Sequence, residues 1–429
     1  MFSHCLKLSY KDTAQQNSYV TIPRAANSFD NTEIAANVGE DIIDSLTGGR
    51  LVGSVTSFEN FAECPLRYYL RYGVDLKERE EFTFSPVNFG VVLHAVIREV
   101  CDEIKKNGES YYLISEEKRR EMVKRSVAAI TDIYQNSILK DSSRNSFMIK
   151  RMEDLADRTV WAMGEQLKCG DFVPFVFEHK FNMEVGDGDR KQLMSGTIDR
   201  VDICENGTDV YVRIIDYKTG KKDFNIVKTY YGIDIQLMVY MEATMKLVAK
   251  MRPGKNVIPA GVFYYNISDP IVSATTESAE EIEDKIKGEL RLKGMVNSDK
   301  DIAEKMDNTG GTSLNIPVSR KADGGFDSRR SKVMNTEQFN MLGRFVDVRA
   351  VDTADRIAGG DIRRSPYKDG QFSSCDICPY GAVCGFSVDL PGCNYRKLKK
   401  FDDEVLWNNI KEGVDENGKK MDTGAEERD

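Results

Sequence analysis

The spacing of apolar residues changes near residue 172, and this change limits the possible folds. Before it, apolar side chains recur every three or four residues, as at Met122, Val123, Val127, Ile130, Tyr134 and Ile138. After it they alternate with polar ones, at Phe175, Phe177, Phe181, Met183 and Val185. The first spacing predicts amphipathic helices and the second predicts a half-buried strand. The chain is therefore predicted to be helical at first and to form a β-sheet afterwards.

Further signals extend this pattern along the chain. Helices are predicted at 57–73, 90–106, 115–138 and 147–168, and strands at 175–185, 193–203 and 209–218. A helix at 231–250, a strand at 257–267 and a helix at 335–358 follow. We expect Ser57 to cap the first of these helices and Pro65 to interrupt it. This order indicates an α/β fold in which helices flank a mixed β-sheet core, with a mainly helical N-terminal region.

Three segments lie outside the predicted core. Residues 1–53 are polar and are predicted to form an extension without a core of its own. Residues 295–334 are rich in Gly, Asp, Ser, Lys and Asn, so we expect a long, mobile excursion. Residues 399–429 form an acidic tail, which from residue 401 onward carries ten acidic and four basic side chains.

The tail changes what the net charge implies. The whole chain carries −9, and residues 1–400 carry only −3 of this. Local basic patches, and hence a nucleic-acid partner, are compatible with so small a charge. The sequence has no run of 18 apolar residues and no secretory signal, so we expect a soluble cytoplasmic protein without a membrane partner.

Two acidic residues and a lysine fall on consecutive predicted strands. Asp199 lies in Gly196-Thr197-Ile198-Asp199-Arg200-Val201-Asp202, and Asp216 and Lys218 lie in Ile214-Ile215-Asp216-Tyr217-Lys218-Thr219-Gly220. Asp216 and Lys218 share one face of their strand. The two carboxylates can bind a hard ion such as Mg²⁺, and a lysine beside it can orient water or neutralise phosphate charge. Strand-edge ion pairs are the alternative; the adjacent strands and flanking glycines favour the metal site.

Four other residues are weaker candidates. Gln236 and Tyr240 share a helix face and can position a phosphate or the lysine, although a polar cap on a packed helix explains them equally simply. His94 has apolar neighbours and is a metal ligand only if the fold brings its helix to the carboxylates. Glu178 fits a site role and a surface role equally.

The cysteines form a second constellation. The chain has nine cysteines and three histidines, and without an export signal bound metal is favoured over disulfides. Cys375, Cys378 and Cys384 offer three thiolates within ten residues, enough for zinc or an iron–sulfur cluster once a fourth ligand is added. Cys393 is nearest in sequence, and Cys64, in a Cys-Pro-x-x-Tyr setting, is the alternative. The remaining cysteines are interpreted as ordinary small apolar residues.

Taken together, these segments resemble the RecB-like branch of the PD-(D/E)XK nuclease superfamily, and specifically the C-terminal nuclease domain of AddB helicase–nuclease subunits. The matching segments are Ser57-Phe58-x4-Ala62-x-Cys64-Pro65, Gly90-x3-His94, Glu178, Gly196-x2-Asp199-Arg200-Val201-Asp202, Ile215-Asp216-Tyr217-Lys218-Thr219-Gly220, Tyr230-Tyr231-Gly232-x3-Gln236-Leu237-x2-Tyr240, Pro259-Ala260-Gly261-Val262-Phe263-Tyr264-Tyr265 and the cysteine set. The resemblance covers about residues 54–398.

The resemblance implies a restriction-endonuclease-like nuclease domain at 54–398, with a catalytic core at about 172–270. It implies that Asp199 and Asp216 bind Mg²⁺ or Mn²⁺ and that His94 is a further ligand. Lys218 would be the catalytic lysine, and Gln236 and Tyr240 fall at the family's QxxxY positions. It also assigns a [4Fe–4S] cluster to Cys64, Cys375, Cys378 and Cys384, which would join segment 375–384 to Cys64.

The implied function is a metal-dependent DNA exonuclease that processes double-strand DNA ends for recombinational repair. Linear DNA ends and an AddA-like helicase–nuclease subunit are the implied partners, with single-stranded DNA in the active site running over Arg67, Tyr68, Arg71 and Tyr72. The alternatives are a non-catalytic DNA-end-binding or scaffolding subunit and a structural zinc protein. Because AddB proteins carry a long helicase-like N-terminal part, the chain is expected to be a fragment or a free-standing relative.

Overall fold

The computed structural model describes residues 37–47, 52–77, 86–133, 143–185, 192–273, 277–390 and 393–426. The chain divides into two compact units rather than the single domain expected. The smaller unit comprises Met1–Lys77, Gly186–Gln192 and Val351–Lys400, and the larger comprises Glu78–Val185, Leu193–Ala350 and Phe401–Asp429. Most of the expected extension at 1–53 lies outside the described residues.

The described elements follow the predicted order closely. The helices are α1 (Glu40–Thr47), α2 (Val55–Glu63), α3 (Pro65–Tyr68), a π-helical turn (Tyr69–Gly73), α4 (Pro86–Lys106), α5 (Glu116–Ile133), α6 (Ser143–Lys168), α7 (Ile226–Tyr230), α8 (Gln236–Met251), α9 (Ala279–Glu289), α10 (Lys300–Met306), α11 (Thr336–Ala358), α12 (Gly381–Cys384) and α13 (Asp403–Glu426). The strands are β1 (Val52–Ser54), β2 (Val173–Val185), β3 (Gln192–Asn206), β4 (Asp209–Lys218), β5 (Asn256–Asn266), β6 (Lys293–Asn297), β7 (Val333–Met334), β8 (Tyr367–Asp369), β9 (Phe372–Ser373) and β10 (Arg396–Lys397).

The larger unit is built on a mixed sheet. Strand β3 pairs with β2 and runs antiparallel to β4, β4 runs parallel to β5, β5 antiparallel to β6, and β6 parallel to β7. The predicted α/β architecture with a mixed sheet is confirmed, and it is consistent with a restriction-endonuclease-like fold. In the smaller unit β8 pairs with β9 and β10.

Helices α4, α5 and α6 share one core with the sheet. Val96, Val123 and Ala156 of these helices are buried in the same cluster as Tyr217 and Phe263 of β4 and β5. Each large apolar side chain buried in this way contributes about 1.5–3 kcal/mol. Because side chains alternate along a strand, the residues next to Tyr217 on β4 face away from this core. The apolar layer thereby leaves the opposite face of β4 for polar groups.

Three charged side chains are fully buried beneath that layer. Arg200 donates from Nε and Nη2 to the two carboxylate oxygens of Asp202, at 2.7 and 2.6 Å, and Arg213 Nε donates to Asp202 Oδ2 at 2.8 Å. Burial alone would raise the pKa of Asp202, but the two guanidinium groups outweigh it and lower that pKa. Arg200 therefore pairs with Asp202, and an Asp199–Arg200 surface pair does not form.

Residues 295–334 are not the mobile excursion that their composition suggested. They contain part of β6 together with α10 and β7, and Ile302, Ile316 and Val318 are buried in the main core. Polar side chains order the intervening loops. The carboxylate of Asp307 accepts hydrogen bonds from Ser313 Oγ at 2.6 Å and from Asn315 Nδ2 at 3.1 Å. Side-chain hydrogen bonds of this kind satisfy groups that a regular ladder would otherwise pair.

The acidic segment after residue 399 is likewise not a detached tail. Helix α13 belongs to the larger unit, with Leu406 and Ile410 buried. A Cβ at Gly413 would lie 2.7 Å from the ring of Phe345, so only glycine permits this close approach. Among the helices that the structure describes, none has both the length and the apolar character required to cross a bilayer.

The first helices of the smaller unit correct two expectations. Ser54, not Ser57, caps α2, because its side chain accepts a hydrogen bond from the Ser57 N–H. Tyr68 is buried against Phe61, and Arg67 forms an ion pair with Glu63. These two residues therefore do not form the exposed stacking surface proposed for single-stranded DNA, whereas the neighbouring Arg71 and Tyr72 are exposed.

Candidate active site

Strands β3 and β4 place two carboxylates side by side. The antiparallel ladder pairs Arg200 with Ile215, so the next position brings Asp199 opposite Asp216. Both side chains are buried. Burial and the charge of Asp199 raise the pKa of Asp216 to about 7, against the opposing effect of Lys218. Two close, buried carboxylates repel each other unless a cation or a proton lies between them.

Backbone and imidazole groups orient Asp199. Its Oδ2 accepts a hydrogen bond from the Tyr217 N–H at 2.6 Å, and its Oδ1 lies 3.4 Å from His94 Nδ1. Helix α4 thus brings His94 to the carboxylates, which was the condition for a site role. Burial alone would lower the pKa of His94, but the carboxylates of Asp199 and Glu178 raise it to about 10.

Glu178 completes a compact group of potential ligands. Its Oε1 lies 3.7 Å from His94 Nδ1, and one ligand atom from each of His94, Glu178 and Asp199 lies within 4.8 Å of the others. Glu178 adopts a φ of +48°, a left-handed conformation that costs a non-glycine residue on the order of 1 kcal/mol. Carboxylate oxygens with one imidazole are donors suited to Mg²⁺ or Mn²⁺.

The lysine lies in a chain of polar contacts that begins at Asp216. Lys218 Nζ is 2.6 Å from Asp216 Oδ2 and donates to Gln236 Oε1 at 2.8 Å. Gln236 Nε2 in turn donates to the Tyr240 hydroxyl at 2.9 Å. The helix that carries these two residues begins at Gln236, five residues later than predicted, after a turn in which Gly232 has a φ of +76°. This chain fixes the Lys218 ammonium beside the carboxylate pair.

A glycine makes room for that arrangement. A Cβ at Gly196 would lie 2.7 Å from the ring of Phe181 and 3.0 Å from the ring of Tyr240. Those two rings contact each other edge to face, with centroids 5.6 Å apart. Glycine at this position therefore lets Tyr240 pack against β3.

The cysteine set lies in the smaller unit. Cys64, Cys375, Cys378 and Cys384 line one cavity, whereas Cys393 is buried away from its lining. Burial raises the pKa of Cys64, and it raises the pKa of Cys384 to about 11. Metal ligation requires the thiolate form, so binding at this cavity would release protons.

Comparison with known proteins supplies the family. The model of the PD-(D/E)XK nuclease superfamily matches residues 53–385. The chain belongs to this superfamily. In this PD-(D/E)XK chain, Asp216 and Lys218 fit the D-x-K part of the pattern that gives the family its name.

Curated relatives of this PD-(D/E)XK chain are named as the AddB subunit of an ATP-dependent helicase/deoxyribonuclease. The protein of Thermoanaerobacter sp. (strain X514) is 33% identical over 380 residues, which are 86% of this chain and 33% of the relative. That of Clostridium acetobutylicum is 34% identical over 391 residues, 89% of this chain and 34% of the relative. The chain spans about a third of the length of the curated relatives it matches.

The structure brings together the residues proposed from the sequence of this PD-(D/E)XK chain. Asp199, Asp216 and Lys218 are joined by His94 on one side and by Gln236 and Tyr240 on the other. Glu178 was left undecided, because its alternating strand pattern does not reveal the positive φ. The role of the Tyr217 N–H was missed, since backbone donors carry no sequence signal.

Proposed function

We propose that this chain is a metal-dependent deoxyribonuclease that hydrolyses phosphodiester bonds from the ends of linear DNA. The carrying observation is the single connected site in which His94, Glu178 and Asp199 converge while Lys218 lies 2.6 Å from Asp216. Asp199 and Asp216 with His94 would hold Mg²⁺ or Mn²⁺, and Glu178 adds a further oxygen donor. When bound, such an ion lowers the pKa of a water ligand and polarises the phosphoryl oxygens.

The chain's own residues then have separate tasks. The Lys218 ammonium, fixed by Gln236, orients the attacking water and stabilises negative charge that develops on the phosphate. Tyr240 holds the Gln236 amide through the hydrogen bond to its hydroxyl. The Tyr217 N–H holds Asp199 in one orientation. Because these contacts exist before substrate arrives, little reorganisation is needed during the reaction.

A nuclease assay with end-labelled DNA tests this proposal. Wild-type protein with Mg²⁺ or Mn²⁺ should shorten linear single- and double-stranded substrates labelled at the 5′ or 3′ end and leave closed circles intact. Asp216→Asn and Lys218→Met should each lower the rate by about 10²–10³-fold. Lys221→Ala, which removes an exposed lysine three residues from Lys218, is the matched control and should keep the wild-type rate.

Two results would contradict the proposal. Wild-type rates in Asp216→Asn and Lys218→Met would exclude this site as the catalytic centre. Tight binding of DNA ends without hydrolysis in either metal would instead indicate a non-catalytic end-binding subunit.

We also propose that the cysteine cavity holds a structural [4Fe–4S] cluster. A tetrahedral zinc ion with Zn–S bonds of about 2.3 Å requires sulfur atoms about 3.8 Å apart. Within the part of the chain that the structure describes, the three-residue ligand group within 4.8 Å is the histidine–carboxylate one, and no thiols form such a group. The wider thiol spacing favours a cluster over a single zinc ion. Zinc without iron in anaerobically purified protein would contradict it.

The names of the relatives suggest a partner. The relatives named as AddB subunits match this chain over only a third of their length. We propose that the chain acts with an AddA-like helicase–nuclease subunit on DNA ends. Co-expression with such a subunit and size-exclusion chromatography should give a joint peak, and separate elution at micromolar concentration would argue against the complex.

A further inference from the structure

A second lysine is held firmly near the proposed site. Lys222 follows β4 in the loop after Gly220, and the side chain of Asn266 holds its backbone from both sides. The Lys222 N–H donates to Asn266 Oδ1 at 2.9 Å, and Asn266 Nδ2 donates to the Lys222 carbonyl at 3.0 Å. Asn266 is itself fixed, because it pairs with Lys218 in the β4–β5 ladder. The loop position of Lys222 is therefore tied to the strand that carries Lys218.

The Lys222 ammonium lies over a buried aromatic ring that it shares with Lys218. Its Nζ is 4.5 Å from the centre of the Tyr264 ring, and Lys218 Nζ is 5.4 Å from the same centre. These two distances limit the separation of the ammonium nitrogens to at most 9.9 Å. Tyr264 pairs directly with Asp216 in the β4–β5 ladder. Both lysines are thus anchored next to the carboxylate pair.

The present partner of Lys222 leaves the ammonium accessible. Lys222 Nζ lies 3.0 Å from Asp234 Oδ1, and the side chain of Lys222 is 32% exposed whereas that of Asp234 is 4% exposed. The Tyr264 hydroxyl donates to the same oxygen of Asp234 at 2.6 Å. Asp234 therefore keeps a hydrogen-bond donor when Lys222 turns toward another anion. A half-exposed ion pair of this kind costs little to exchange, since such pairs contribute about 0–1 kcal/mol.

Positive charge continues across the sheet from this point. Lys293 on β6 pairs directly with Tyr264, so it lies in the same row as Asp216. Burial and the nearby charge of Arg291 lower the pKa of Lys293, although Asp223 acts in the opposite direction. Asp223 also pairs with Lys332, at 2.5 Å. The row leading away from the site therefore favours an anion.

We propose that Lys222 binds the backbone phosphate of the substrate strand that neighbours the phosphate to be cleaved. This inference rests on the proposed nuclease function. Lys218 would meet the reacting phosphate while Lys222 meets the next one on the same strand, and the anchored ring of Tyr264 sets their spacing. The contact is to the sugar–phosphate backbone, so it fixes the register of the strand and carries no base specificity.

Binding measurements in EDTA test this inference without turnover. Fluorescence anisotropy of a labelled single-stranded oligonucleotide should show about a fivefold weaker affinity for Lys222→Gln at about 0.1 M salt. The slope of log K against log salt should fall by about 0.7, because one phosphate contact is lost. Lys222→Arg should retain most of the affinity and slope. Lys221→Gln, which removes the same charge from an exposed neighbour, is the matched control and should leave both at wild-type values.

A series of oligonucleotides with one neutral methylphosphonate identifies the phosphate. In wild-type protein and in Lys221→Gln, neutralising the contacted position should weaken binding by about fivefold. In Lys222→Gln, the same change should have no further effect, while other positions keep theirs. Cleavage mapping with Mg²⁺ should then place the contacted phosphate next to the cleaved one.

Each remaining outcome has a defined meaning. Equal affinity and salt slope in Lys222→Gln and Lys221→Gln would overturn the inference, as would a methylphosphonate effect that persists in Lys222→Gln. A lower rate of cleavage with unchanged binding would also overturn it, because Lys222 would then act only through the site's own charges. A wild-type protein that binds DNA through Lys222 but does not cleave it would contradict the proposed function alone.

Discussion

The carboxylate–lysine site and the cysteine cavity are assembled in different ways. In the first, the protein's own groups hold the ligands: Tyr217 donates to Asp199, and Gln236 fixes Lys218. Its catalytic carboxylates and lysine come from two adjacent strands of one sheet. In the cysteine cavity, by contrast, 311 residues separate Cys64 from the next ligand in sequence.

The difference lies in what each site needs from a bound metal. Hydrogen bonds and strand register preassemble the carboxylate–lysine site, so a metal ion there mainly relieves the repulsion between Asp199 and Asp216. The cysteine cavity joins distant parts of the chain through thiols whose pKa values are raised by burial, as for Cys64 and Cys384. We therefore expect metal loss to affect chemistry at the first site and stability at the second.

The largest expected effect is on the stability of the smaller unit. Cys64→Ser should abolish bound iron and lower the free energy of unfolding by up to about 5 kcal/mol, because the cluster closes a very long loop. Iron and sulfide analysis together with chemical denaturation measure both. Cys393→Ser is the control, since Cys393 is buried outside the cavity lining. Retained iron in Cys64→Ser with loss in Cys393→Ser would make Cys393 the fourth ligand.

At the carboxylate–lysine site, removing a ligand should instead increase stability. The pKa of Asp216 is raised to about 7 in the metal-free fold, so ionisation of this group opposes folding as the pH rises. Asp216→Asn should therefore unfold with about 3 kcal/mol more free energy above pH 7, and the gain should shrink as pH falls toward 4. Thermal melting in EDTA across this range measures it.

Asp209→Asn is the control for that pH dependence, because Asp209 begins the same strand away from the carboxylate pair. It should show no comparable gain. An Asp216→Asn protein that is less stable than wild type at pH 8 would show that the Lys218–Asp216 ion pair outweighs burial.

A steric change should disturb the preassembled site more modestly. Gly196→Ala places a methyl group 2.7 Å from the Phe181 ring, so we expect a loss of about 1–3 kcal/mol and slower DNA cleavage through displacement of Tyr240. Denaturation and the end-labelled DNA assay measure these effects. Gly343→Ala is the control, since its Cβ meets nothing within 4 Å and alanine favours the helix. Equal stability of the two variants would contradict the packing argument.

The smallest expected effect isolates the backbone of Glu178. Glu178→Gly and Glu178→Ala both remove the carboxylate, but only glycine adopts a φ of +48° without strain. Glu178→Gly should therefore be more stable than Glu178→Ala by about 1 kcal/mol, with both variants slower in cleavage. Equal melting temperatures would mean that the strand relaxes when the carboxylate is absent.

Local patterns in the sequence predicted the strands and the carboxylate pair well. The predicted strand at 209–218 coincides with β4, because an apolar run follows the turn at Gly207, where φ is +61°. A hairpin with so short a turn fixes its register, and the register alone places Asp199 opposite Asp216. These features depend on residues that are near one another in the sequence.

Features that depend on distant contacts were not predictable in this way. The φ of Glu178 and the contact of Lys222 with Asp234 have no local signal. Residues 295–334 were misjudged because β6 has five residues and β7 has two, too few to show a period. Their order comes from contacts such as those of Asp307, which lie in segments whose composition is typical of loops.

The buried Arg200–Asp202–Arg213 group constrains how this sequence can change over time. Replacing Asp202 alone leaves two buried guanidinium groups without a counter-ion, and breaking such a group costs about 3–5 kcal/mol. Proteins of this kind are stable by only about 5–15 kcal/mol. An apolar trio of similar volume could be equally stable, yet each single-step route to it passes through a barely folded intermediate. The three positions are therefore expected to change together in descendants of this chain or to remain as they are.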